Sequence, residues 1–225
     1  LQVKFFLGLN IGRNQMLLFT TFLLMLIVSY AFYQEGLFVA FCNFVNMLLA
    51  FVFVVGFYEP SAEFLEIHLK DSLLDGFEDA IAMVGIFLVS FGALKIMALQ
   101  LAPSVISYQH LVHNLGGAII GLFAGYFVSG FLWCVMQTLP WQEKFMGFDT
   151  RSTKKTASSV FLRPDRVWLA SMRKFSKGAF KTDKIFDYSA SFELRYQRYR
   201  RVSAGREIPQ IYLGDIDFNT TEEPQ

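Results

Sequence analysis

Apolar residues fall into four long runs separated by short polar interruptions, and that pattern predicts helices that cross a membrane. No charge stands between Arg13 and Glu35, so residues 16–33 supply enough helix to cross about 30 Å of hydrocarbon. Tyr30 and Tyr33 near one end suit the interfacial belt. Gln34, Glu35 and Gly36 form a tight connection, which makes a second span over 37–57 an antiparallel neighbour of the first. A third span covers 80–101, and a fourth covers 116–139 and stops at Pro140 and Trp141. The expected fold is all-α: a polytopic membrane protein with four transmembrane helices over 16–140 and a basic, partly helical C-terminal tail.

The polar segments divide the rest. Residues 1–15 read as an interfacial lead-in, too poor in apolar side chains to span. Residues 59–79 carry seven carboxylates and read as a wet loop in which Pro60 and Ser61 open a short helix. Their spacing departs from the Asp-x-Asp-x-Asp-Gly calcium loop. Residues 141–160 read as a linker, 161–204 as a basic amphipathic tail, and 205–225 as disordered.

Composition fits this picture. Of 225 residues, 54% are hydrophobic and 26 are Phe; the mean hydropathy is +0.40. A net charge of +1 hides a split: residues 1–140 hold four basic and eight acidic residues, and 141–225 hold sixteen basic and eleven acidic ones. Such asymmetry points to two parts in different solvents. Cys42 and Cys134 lie in apolar runs and read as small hydrophobes, not as a disulfide. The first apolar run is long and no Ala-x-Ala site follows it, so it reads as a span and not as a cleaved signal.

Within the spans, small residues recur at every fourth position: Gly117, Gly121, Gly125 and Ser129. On a helix these share one face, and in lipid a smooth face lets a second helix backbone approach closely. The third span offers Gly85 and Gly92 on one face and is the expected partner; a second copy of the chain is the rival. Asn43 and Asn46 share a face of the second span and are expected to turn toward other helices, because unpaired amides are costly in lipid. Lys95 interrupts the third span near its end. Its ammonium is expected among the headgroups, with an inward pairing to a carboxylate or to the Asn43 and Asn46 amides as the alternative.

Reactive chemistry is thin. No Gly-x-x-x-x-Gly-Lys-Ser loop and no His-Glu-x-x-His motif occurs. His110 and His113 stand at helical spacing, but a metal site would need a distant ligand such as Glu66, and none is expected. Ser129 with either histidine is the only candidate for an intramembrane nucleophile. Phe127 stands where a Gly-x-Ser-Gly site has its first glycine, and the small-residue face already explains Ser129, so no catalytic residue and no cofactor is expected. In the tail, Pro164 and Asp165 signal a helix start and Gly178 a stop. Trp168, Met172, Phe175 and Ala179 make an apolar stripe flanked by Arg173, Lys174 and Lys177. Contact with a membrane surface is expected there, against the alternative of a helix packed on its own bundle. Around residues 189–201, Phe192, Tyr196 and Tyr199 interleave with arginines, a mixture suited to anionic lipid or a protein partner ahead of nucleic acid.

With its four spans, short glycine-containing first hairpin and glycine-stepped fourth span, the chain resembles the colicin V production protein family, small bacterial inner-membrane proteins. The resemblance covers roughly residues 16–140. The family has Asp-Arg-x-x-Gly-x-x-x-Gly-x-x-x-Gly where this chain has His113, Asn114, Leu115, Gly116, Gly117 and then Gly121 and Gly125: the glycines match and the Asp-Arg pair does not. The resemblance implies a non-enzymatic accessory role in export of a toxin-like peptide or in envelope maintenance. Membrane lipids are the implied partners, with another envelope protein or a second copy beside them. Two other functions stay open: an oligomeric solute channel lined by Asn43, Asn46 and Lys95, and a membrane anchor whose basic tail recruits lipid or a partner. Basic residues after the last span favour cytoplasmic termini; the family's basic first hairpin would favour the reverse.

Overall fold

The computed structural model describes residues 13–69, 74, 76–101, 109–139, 163–178, 186, 187, 192 and 196. The expectations for residues 1–12 of the lead-in, the linker and the last stretch of the tail lie outside the described residues, and Arg13–Gln15 of the lead-in belong to the first helix. Among the described residues five helices follow in order: α1 (Arg13–Glu35), α2 (Leu37–Leu69), α3 (Glu78–Leu101), α4 (His110–Thr138) and α5 (Pro164–Lys177). Four of them are long and apolar enough to cross a membrane. The fold is an all-α multi-pass membrane bundle.

A single residue turns the chain between α1 and α2. Gly36 adopts φ +81°, a conformation open to glycine and strained for other residues. Its N–H donates to Phe32 O at 3.1 Å, closing α1, and its carbonyl accepts from Ala40 N at 2.9 Å, opening α2. Gly76, at φ +84°, serves the approach to α3: its N–H donates to Glu78 Oε1 at 2.9 Å. Glu78 and Asp79 then set negative charge at the positive end of α3.

The chief departure from the sequence pattern is α2. It does not end at Tyr58 but runs 33 residues with Pro60 inside it, about 50 Å at roughly 1.5 Å per residue. Proline removes one backbone donor, and here it stands beside the exposed Glu59 in the polar part of the helix. The segment read as a loop is therefore, up to Leu69, a helical extension carrying exposed Glu59, Glu63 and Glu66.

The core is aromatic. Phe51 stacks on Phe87 at 5.0 Å, meets Phe131 at 5.1 Å and receives the edge of Trp168 at 5.6 Å. Phe87 and Phe131 close the triangle at 5.1 Å. The abundance of Phe has a second cause in the lipid-facing surface, where Phe19, Phe22 and Phe123 are all exposed, as are Leu88 and Val89 of α3. Sequence and contacts together set an alternating up-and-down order. The α1–α2 turn, the end of α3 and the start of α4 share one end of the bundle (the hairpin end). The start of α1, the extension of α2, the end of α4 and α5 share the other (the tail end).

Candidate functional site

The glycine face of α4 receives α1, not α3. A Cβ placed on Gly121 would lie 2.6 Å from Ser29 Cα and 2.8 Å from Phe32 Cβ; on Gly125, 2.7 Å from Met25 Cα; on Gly117, 2.5 Å from Phe32 O. These are backbone-level approaches at which any added side chain would force the two helices to shift, and α1 with α4 is the most extensive helix pair in the bundle. Ser29 Oγ donates to Ala118 O at 2.9 Å, a polar stitch across the same groove. Ser129 is fully buried and donates to Tyr126 O of its own helix at 2.7 Å. The third span was the expected occupant, and the correction is clear: at Gly85 and Gly92 nothing lies within 4 Å of an added Cβ. Shared spacing placed those two glycines on one face, but that face looks away from the bundle.

A second small residue on α4 went unnoticed in the sequence. An added Cβ on Gly130 would collide with Pro164 O and sit 2.9 Å from Trp168 Cβ. Gly130 is the seat of α5. Along α5, Trp168, Leu169 and Met172 are buried, and Trp168 is 0% exposed against Phe51 and Phe131. Trp168 thus belongs to the protein core and not to a lipid surface. The apolar stripe was legible, but a stripe suited to headgroups also suits the protein's own bundle. The basic flank divides. Arg173 donates to Asp187 Oδ2 at 2.7 Å, while Lys174 and Lys177 point outward. Asp187, at φ +46°, also accepts from Phe192 N at 2.9 Å and so ties the following chain to α5. Phe186 then bridges Trp168 at 6.3 Å and Tyr58 at 6.0 Å. The start of α5 is framed differently from its sequence signal: Arg163 is the cap residue and its side chain does not cap the helix, and Asp165 lies inside the first turn, fully buried.

At the hairpin end the polar side chains converge on a residue that sequence reasoning treated only as part of a turn. Glu35 Oε1 pairs with Lys95 Nζ at 3.2 Å, and Glu35 Oε2 accepts from Asn43 Nδ2. Lys95 therefore turns inward to a carboxylate, the alternative in the sequence reading, and does not reach for headgroups. The side chains of Lys95 and Glu35 remain 39% and 32% exposed, so the pair sits at the rim of the bundle. A signal for it existed: Glu35 is the only carboxylate in residues 1–140 outside the acidic stretch. Asn46 stands one turn deeper on α2, and its Nδ2 is buried without a partner. His113 packs its ring on Gly36, and its Nδ1 is likewise buried and unpartnered. The side chain of His110 lies outside the described residues.

Among the described residues no group of three or more His, Cys, Asp or Glu side chains gathers as metal ligands do. Chemically, the molecule offers a neutralised carboxylate–ammonium pair at one end, an aromatic core in the middle, and a buried aspartate with a basic rim at the other.

A family model described as Colicin V production protein matches residues 17–164. The match takes in α2, α3 and α4 and nearly all of α1, and ends at Pro164, where α5 begins. No curated protein and no solved structure matches the chain.

Proposed function

The chain belongs to the colicin V production protein family, and on that premise we propose that it is a non-enzymatic protein of the bacterial inner membrane with an accessory role in export of a toxin-like peptide or in envelope maintenance. The observation that carries this reading is the filled interior. Phe51, Phe87, Phe131 and Trp168 occupy the centre of the bundle with ring centroids 5.0–5.6 Å apart. Side chains packed in this way leave a solid core and favour a scaffold over a conduit. The one serine considered as a nucleophile is buried and bonded to its own helix, which favours a structural role for it.

In a bacterium that exports a colicin V-type peptide, loss of this chain is expected to lower the peptide in the medium or to raise dye uptake through the envelope. The intact chain should restore either phenotype and the Gly121→Leu variant should not. Unchanged export and unchanged dye uptake on loss of the chain would refute the role.

One observation favours a second reading. The buried, unpartnered amide of Asn46 lies near the Lys95–Glu35 pair in the order of the helices, and unsatisfied polar atoms in a bundle mark solute paths as well as interhelical contacts. An oligomeric channel lined by Asn43, Asn46 and Lys95 would lose flux in liposomes on Asn46→Leu or Lys95→Met. Insensitivity to both would remove it. The outward Lys174 and Lys177 support contact with anionic lipid as an accessory to either reading.

A further inference from the structure

The junction between the end of α4 and the start of α5 buries more oxygen than it satisfies. Asp165 is 0% exposed; its Oδ2 accepts from Gln137 Nε2 at 3.1 Å, while its Oδ1 has no partner. Gln137 is 6% exposed, and its Oε1 is also buried without a partner. The Nε2 bond fixes the sense of the amide, because turning it over would set Oε1 against the carboxylate. Two acceptor oxygens are thus left bare on adjoining side chains.

A carboxylate taken out of water is offset either by a counter-charge or by a proton. The first turn of α5 supplies a partial positive charge of about half a unit, but no hydrogen reaches Oδ1. The Lys95–Glu35 and Arg173–Asp187 ion pairs do not involve Asp165. The neighbouring end of α4 adds negative potential, since the last carbonyls of a helix lack donors within it. Of these, the Val135 carbonyl accepts from Thr138 Oγ at 2.8 Å.

We propose that this junction is a binding site for a monovalent alkali cation, held between Asp165 Oδ1 and Gln137 Oε1 beside the carbonyl end of α4. Oxygen-only ligands select hard cations. One carboxylate balances one positive charge, and the described residues offer no group of three His, Cys, Asp or Glu that a divalent or transition metal would ask for. The rival occupant is water, which would donate to both oxygens and could accept from Trp168 Nε1, itself buried without a partner one turn along α5. The two occupants are separable, because water is always present and the cation can be withheld.

The test is thermal unfolding of the full chain in detergent, in sodium, potassium or choline chloride at one ionic strength. The site predicts a saturable rise in Tm with sodium or potassium that choline does not give. Asp165→Asn keeps the side-chain shape and removes the charge. It is expected to be at least as stable as the parent in choline and to lose the alkali-cation response. Gln137→Met keeps the charge and is expected to weaken the apparent cation affinity roughly tenfold or more. Equal Tm in all three salts would leave the junction to water or to a protonated Asp165 and overturn the proposal. A response retained in Asp165→Asn would overturn it as well, by placing the cation elsewhere.

Discussion

At the scale of single residues, the strongest constraint is the absence of side chains. Gly121 brings the backbones of α4 and α1 within 2.6 Å of where a Cβ would stand. Gly121→Ala is expected to cost about 1–3 kcal/mol by overpacking, and Gly121→Leu to prevent α1 from seating at all. Gly85→Leu, on an open face, should stay within about 0.5 kcal/mol of the parent. Thermal unfolding in detergent ranks the three, and equal losses at Gly121 and Gly85 would contradict the packing. The Glu35–Lys95 pair makes a different kind of prediction. Glu35→Gln or Lys95→Met alone strands one partner at the rim, whereas the double variant strands neither. A double-mutant cycle should return a favourable coupling of about 0.2–1 kcal/mol for a pair this exposed; a coupling of zero would mean that the pair is incidental. The spacing of Gly117, Gly121 and Gly125 shows in the sequence because it repeats every helical turn. Glu35 and Lys95 stand 60 residues apart, and no local pattern links them.

At the scale of elements, α5 behaves as a fifth member of the bundle. Its Trp168 fills the space between Phe51 and Phe131, and Gly130 gives it a seat. Trp168→Ala is expected to cost about 3–5 kcal/mol and to speed proteolysis of the tail. It should leave binding to anionic vesicles unchanged, because the ring does not reach the surface. Vesicle binding that falls in proportion to the loss of stability would instead return Trp168 to the membrane. The amphipathic stripe announced a helix over this stretch but not its neighbour, because a headgroup layer and an aromatic bundle ask for the same pattern of residues. For α2 the pattern misled in the other direction. Polarity after Tyr58 and a proline at 60 look like a loop, yet helical hydrogen bonding continues to Leu69, since a change of solvent does not by itself end a helix.

At the scale of the whole molecule, hydropathy reveals the four spans because lipid tolerates few alternatives to a helix. Which faces meet is set by shape and is less visible. The up-and-down order has a consequence that labelling can read. The α2 extension and α5 share the tail end, although about a hundred residues and two spans separate them in sequence. Gln109, just before α4, belongs to the opposite end. With Cys42 and Cys134 replaced by serine, single cysteines at Glu66 and Lys174 should react with an impermeant maleimide from one side of the membrane, and a cysteine at Gln109 from the other. The outward lysines of α5 and the positive-inside rule lead us to expect the first two in the cytoplasm. Protection of Glu66 and Lys174 in intact cells, with labelling after permeabilisation, is the expected result. Labelling of both in intact cells would invert the molecule without altering the fold. Labelling of Glu66 and Lys174 from opposite sides would break the arrangement itself, because α5 could not then rest on α4 and α2 at the same end.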